Sequence, residues 1–368
     1  MRRKTPTEIL SFEHAHPMAS DFERLSIPVF RLDERGRIFE DRMQAVLKRL
    51  REFRPSVVVA NLSPMAFEVL RYMPTGVFRI GAAQSDDPAV YATARRYAGV
   101  MDAIAAVSAT IKQKIEADPG FAGVPAQYLP YGVPMPEPLT LVRNGASGPM
   151  RILYLGRLDH VQKRVRLFPE ILRRLEASGI PFCWTIAGDG SERSWLEANL
   201  RTSPGNQAVS ILGNVAYAQV PSLLARHDVF LLTSDYEGLP LSLLEAMGHG
   251  LVPVVSNLPG GIPEVVDENT GKLVPPDNTA GYAEAIIALH NHRDEMRRLS
   301  RNASRRVQRD FSVTAMTDRW LNAFPGTPRQ NVFWPEQWQI KPIVGSRYPL
   351  YFTPPLRLLR RVMKSLSR

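Results

Sequence analysis

Short apolar runs alternate with amphipathic stretches along the chain, the order expected of β-α-β units around parallel sheets. In the first half, residues 42–53 carry Met43, Val46, Leu47 and Leu50 on one helical face. The β-branched run at 57–60, preceded by Pro55, predicts a buried strand. Residues 77–83 and 103–108 predict further strands, with a helix over 89–97 between them. Ser108 precedes a helical run and can cap it. Residues 128–134 predict a last strand and turn, and 132–149, rich in Pro and Gly, predict a linker.

The second half is more regular. Strands are predicted at 150–156, 182–190, 209–213, 229–234, 252–256 and 271–276. Helices are predicted at 167–178, 195–201, 220–228, 239–247, 281–290 and 293–309. Such an alternation reads as a doubly wound sheet, whose ligands bind at the carboxyl ends of its strands. The expected organisation is an N-terminal Rossmann-like domain over 1–140, a second over 150–322, and a basic, aromatic and proline-rich tail over 323–368.

Composition narrows the classes. The chain has 368 residues, of which 44% are hydrophobic and 22% charged, ordinary globular usage for about two domains. Cys183 is the only cysteine, so no intramolecular disulfide or cysteine-based metal site is possible. The net charge of +10 favours anionic partners. Nucleic-acid binding would rest on that charge alone and is not expected. No apolar run is long enough to span a bilayer, and the basic N-terminus develops no secretory signal.

The segment DYEGLPLSLLEAMGHGLVPVVS carries the strongest chemistry. Glu237 lies in its loop and Glu245 inside the following helix. Pro240 suits the first helical turn, and Gly248 and Gly250 end the helix. The free N–H groups and dipole at the helix start favour an anion such as a phosphate. An ionised carboxylate can accept from both hydroxyls of a diol. A solvated Glu237 is the plain alternative. Arg157 and Lys163, delivered by the strand ending at Gly156, can neutralise a departing diphosphate. Two surface bases in a basic protein are the plain alternative. The AGDG turn at 187–190 permits a close backbone approach. Gly260 and Gly261 make a turn before Glu264, which faces either water or the site. His14 and His16 read as a solvated loop, His160, His227 and His249 are scattered, and no Ser-His-Asp arrangement is supported.

These motifs stand in family order, and residues 150–310 resemble the donor domain of a GT-B glycosyltransferase of family 4. Glu237 and Glu245 fit that family's pair of glutamates separated by seven residues. GRL followed by lysine, AGDG, SDYEGLP, EAM and PVV also match. The resemblance implies an α/β GT-B fold of two Rossmann-like domains with parallel sheets facing a cleft. It implies that Arg157 and Lys163 grip the diphosphate, and that Glu237 with the backbone of Gly238, Leu239 and Leu241 holds the sugar. Glu245 would hold the ribose, with Gly156 at the rim and the nucleobase near Gly188 and Val215. The DYE triplet then supplies the first glutamate of the pair rather than a metal ligand, so neither metal nor cofactor is expected beyond a nucleotide-sugar co-substrate.

The first half resembles the acceptor domain more loosely. Gln84 stands near the position where the family often has a histidine, with Asp86 and Asp87 following as acceptor-side candidates. No glycine-rich loop stands near the N-terminus, and TEILSF looks like a later strand, so the opening β-α-β unit is expected to be absent. The implied reaction is sugar transfer with retention to a glycan or lipid-linked acceptor, in surface polysaccharide or glycolipid assembly. The expected location is cytoplasmic, peripheral to the inner face of the membrane. The alternative is a non-catalytic GT-B subunit that binds nucleotide or glycan and supports a partner enzyme. An epimerase or a phosphorylase on the same fold ranks below both. The tail has two readings: an amphipathic basic contact with an anionic membrane, or a segment that crosses back onto the first domain.

Overall fold

The computed structural model describes residues 8–11, 26–32, 39–61, 63–136, 148–201, 209–324 and 332–340. The chain divides into two compact units. One comprises residues 1–81, 96–102 and 327–368, the other 82–95 and 103–326.

The first unit holds a parallel pair, β1 (Ile9–Ser11) with β2 (Val29–Arg31), and helix α1 (Phe39–Phe53). The predicted face of α1 is buried: Met43, Val46, Leu47 and Leu50 join Leu32, Val69, Met73 and Val77 in one core. Trp334 completes that core, and the Trp338 Nε1–H donates to the Tyr72 carbonyl at 3.1 Å. Residues 332–340 of the tail therefore pack back on this unit. The amphipathic stretch beyond, with its membrane reading, lies outside the described residues, as do His14, His16 and residues 137–147 of the predicted linker. Strand β3 (Val57–Asn61) corrects an expectation: it forms where predicted, but Val57 and Val59 are exposed, so only part of the run is buried. Helix α2 (Pro64–Leu70) follows, then β4 (Phe78–Ala83) and α3 (Pro88–Arg96).

Strand β5 (Ala103–Ala106) leads into α4 (Ala109–Ala117), capped as expected by Ser108, whose Oγ accepts from the Ile111 N–H at 3.1 Å. The next strand, β6 (Ala126–Tyr128), ends where the predicted strand begins. Val133 instead makes an isolated bridge to Ser312, which draws 131–136 away from the sheet. The sheet order is β3-β4-β5-β6.

The second sheet contains β7 (Met150–Leu155), β8 (Phe182–Ala187), β9 (Val209–Gly213), β10 (Val229–Leu232), β11 (Val252–Ser256) and β12 (Lys272–Val274). Its helices are α5 (Phe168–Ala177), α6 (Arg193–Arg201), α7 (Val220–Ala225), α8 (Leu241–Gly248), α9 (Ile262–Val265), α10 (Thr279–Asn291), α11 (Arg293–Asp310) and α12 (Val313–Ala323). The strands of this sheet pair in parallel, in the order β12-β11-β10-β7-β8-β9. Every residue of β10 and β11 is buried, as continuous apolar runs require when both sheet faces are covered. Phe168 of α5 locks helix to sheet, its ring centroid 5.0 Å from those of Tyr154 and Trp184. Helices α2, α9 and α12 lack the long periodic pattern that predicts the others. Chain order reverses between β7 and β10, so the two strands leave a crevice at their carboxyl ends, where ligands of open α/β sheets bind.

Candidate functional site at the strand-order switch

The turn after β7 is tightly determined. The buried Tyr154 hydroxyl donates to the Arg157 carbonyl at 2.5 Å. Asp159 Oδ1 accepts from the backbone N–H groups of Gln162 at 2.8 Å and Lys163 at 3.1 Å, an Asx-type turn that curls the loop. The loop is then stitched to the one after β10. Thr233 Oγ1 donates to the Lys163 carbonyl at 2.8 Å, and the Asp235 N–H donates to the Gln162 carbonyl at 2.8 Å.

These stitches bring Lys163 and Glu237 together across the switch. Lys163 Nζ lies 2.5 Å from Glu237 Oε1, and both side chains are largely buried. The same oxygen accepts from the fully buried Ser234 hydroxyl at 2.6 Å. A charge pair of this kind, further hydrogen-bonded in a shielded place, holds one geometry, because removing either partner leaves the other uncompensated. Arg157 stands further out, with its side chain mostly exposed, its Nη2 2.5 Å from Gln162 Oε1 and its Nη1 3.5 Å from Asp159.

Helix α8 starts beside this pair. Pro240 serves as its N-cap at φ −66° and ψ 119°, one position before the first turn expected for it, and no side chain caps the helix. Gly250, at φ 74°, follows its carboxyl end. Leu239 is buried, whereas Leu241 opens the helix half exposed. Glu245 is half-buried in the next turn, and burial pushes its carboxyl up to about 7.

Glycines make the crevice narrow. A Cβ on Gly188, at φ 141°, would stand 1.8 Å from the Gly156 carbonyl oxygen. The Gly188 N–H donates to the Gly213 carbonyl at 2.8 Å, so Gly156, Gly188 and Val215 occupy successive turns at the ends of β7, β8 and β9. A Cβ on Gly238 would stand 2.2 Å from the Gln84 carbonyl oxygen. Gly260 and Gly261 lie against the carbonyls of Glu237 and Gly238.

The other candidates have partners elsewhere. Asp86 accepts from the Tyr91 hydroxyl and from Lys114 Nζ, each at 2.7 Å. Asp87 Oδ1 accepts from the Ala89 N–H at 2.7 Å, at the start of α3. Gln84 brings its backbone carbonyl oxygen to Gly238. Glu264 turns to α4, accepting from the Thr110 N–H at 3.2 Å. Its carboxyl is raised by burial, against the lowering effect of that hydrogen bond. His227 binds Thr185 and the Leu223 carbonyl, and His249 the Glu245 carbonyl. Among the described residues, no three His, Cys, Asp or Glu side chains cluster to hold a metal ion, and no helix is long and apolar enough to cross a membrane. No role was predicted for Ser234, Gln162, Thr233 or Asp159, yet all four join the site. Ser234 stands in the SDYEGLP motif, and Asp159 had a sequence signal of its own, an aspartate at a loop start where an Asx turn forms.

A doubly wound domain with a Lys-Glu pair and a bare helix start at its switch point has the architecture of a GT-B domain. Comparison agrees: residues 149–292 match the model of the family described as Glycosyl transferases group 1. The chain is 31% identical over 206 residues to glycogen synthase of Mycobacterium tuberculosis, a match over 51% of this chain and 49% of that protein. It is 33% identical over 161 residues to the amylovoran biosynthesis glycosyltransferase AmsK of Erwinia amylovora, over 42% and 38% of the two chains. The matched segment thus spans about half or less of those relatives. The structure of HepE from Anabaena in complex with UDP and glucose superposes with TM-score 0.69 at 15% identity, covering 88% of this chain and 100% of that one. The fold is GT-B, and residues 149–292 are similar to the Glycosyl transferases group 1 family.

Proposed function

We propose that the chain transfers a sugar, with retention, from a nucleotide-diphosphate sugar to a glycan or lipid-linked acceptor in polysaccharide or glycolipid assembly. The buried Lys163–Glu237 pair at the switch point carries this reading. Lys163 and the more exposed Arg157 offset the charge that grows on the departing diphosphate, and the α8 N–H groups add to them. Glu237, with the Gly238–Leu239 backbone and Leu241, orients the sugar. Glu245 accepts from the ribose hydroxyls. The anomeric carbon–phosphate oxygen bond breaks as the acceptor oxygen bonds that carbon, and the acceptor proton passes to the departing phosphate oxygen. This route suits a site whose acceptor-side carboxylates, Asp86 and Asp87, are already engaged. Asp235 is paired with Arg164 and Glu237 with Lys163, so the acidic groups are neutralised by side chains and no metal is needed. A membrane-peripheral cytoplasmic location accords with such an acceptor.

The relatives support the class: one is named for glycogen, another for amylovoran, and a structural neighbour holds UDP and glucose. The test is nucleoside diphosphate release from a panel of nucleotide sugars, with glycan acceptors and with EDTA present. Glu237→Gln and Lys163→Ala should each lower turnover about 10²-fold or more. Undiminished release by both variants would place the chemistry elsewhere, and nucleotide binding without turnover in the wild type would mark a non-catalytic subunit.

A further inference from the structure

Arg164 and Asp277 are two of the non-glycine residues with positive φ, at 53° and 62°. L side chains adopt this left-handed conformation at a cost, and it persists where surroundings enforce it. Here the two strained residues are bonded to each other, the Arg164 guanidinium meeting the Asp277 carboxylate. A second guanidinium nitrogen lies 3.4 Å from Asp235. Asp277 directly precedes Asn278, the N-cap of α10, and Asp235 stands two residues before Glu237. Arg164, adjacent to Lys163, thus ties together the loops after β7, β10 and β12. Two carboxylates already offset its charge, so its geometry is that of a brace.

We propose that Arg164 is a positioning residue: its bonds to Asp235 and Asp277 hold the left-handed turn that aims Lys163 at Glu237 and at a nucleoside diphosphate. This rests on the reading of Lys163 as a diphosphate ligand. Glycine accepts positive φ freely, so Arg164→Gly removes the brace without adding backbone strain. Arg164→Lys keeps the charge and loses the planar fork.

The experiment is calorimetric titration of the full-length chain with UDP, GDP and ADP, in the wild type, Arg164→Gly, Arg164→Lys, Lys163→Ala and Arg164→Gly/Lys163→Ala. For the best nucleotide, Arg164→Gly should weaken binding about tenfold and Arg164→Lys should recover part of the loss. In the Lys163→Ala background, Arg164→Gly should cost less than about twofold, because residues acting through one another are not additive. A merely structural role would cost the same in both backgrounds and would overturn the inference, as would wild-type affinity in Arg164→Gly. Either result leaves the nucleotide site standing. Failure of the wild type to bind any of the three would remove that site and this inference with it. Should Arg164→Gly not fold, Asp277→Gly breaks the same pair from the other side, and wild-type affinity there would overturn the inference equally.

Discussion

At the scale of single residues, the two glutamates of the site stand in different surroundings. Glu237 has a cation and a hydroxyl at hand, whereas only burial acts on Glu245. The Glu245 carboxyl is raised from the ordinary 4.5 to about 7, so the folded state holds its proton more tightly than the unfolded state does. Its contribution to stability is therefore full below pH 4.5 and is lost as pH rises through 7. Glu245→Gln should leave stability unchanged near pH 4 and raise it near pH 8, by on the order of 2–3 kcal/mol. Urea unfolding of both proteins across that range checks this, and parallel pH curves would refute it. Glu237, Lys163 and Arg157 stood out in the sequence because their spacing relative to strands and glycines is local. Gln162 and Thr233 did not, because their roles exist only once loops some seventy residues apart are stitched together, whereas Ser234, within SDYEGLP, bonds Glu237 only three residues on.

At the scale of elements, the turns after the strands decide how close backbone and ligand can come. Gly188 combines a φ of 141° with a Cβ position 1.8 Å from the Gly156 oxygen, whereas Gly179, at φ 73°, has open space around it. Gly188→Ala should cost about 3 kcal/mol or more, through clash and strain together. That lowers the unfolding midpoint by roughly 6–12 °C, while Gly179→Ala pays for strain alone, about 1 kcal/mol. Equal shifts in differential scanning calorimetry would show that the close approach does not matter. The second-half elements were legible because buried parallel strands alternate with amphipathic helices, and their ends fell within a few residues of prediction. The first half was less so. Val57 and Val59 are β-branched yet exposed, and Val133 leaves the predicted strand for a bridge to Ser312. Both outcomes depend on what packs against the strand, which local pattern does not encode.

At the scale of the whole molecule, strand order carries the functional meaning. The order β12-β11-β10-β7-β8-β9 sets Lys163, on the loop after β7, opposite Glu237, on the loop after β10, although 74 positions separate them. Periodicity predicted the strands but not which of them are neighbours. That order emerged only from the fold, which also packs residues 332–340 on α1, one of the two readings of the tail. The central claim is that this switch point is a nucleoside diphosphate site. It is tested most directly by the thermal unfolding midpoint in the presence of UDP, GDP, ADP and dTDP and their sugars. Ligand at a hundred times its Kd stabilises by about 2.7 kcal/mol. At least one nucleotide should raise the wild-type midpoint by several degrees, and Lys163→Ala should abolish most of that rise. No response to any nucleotide, or an equal rise in Lys163→Ala, would contradict the account.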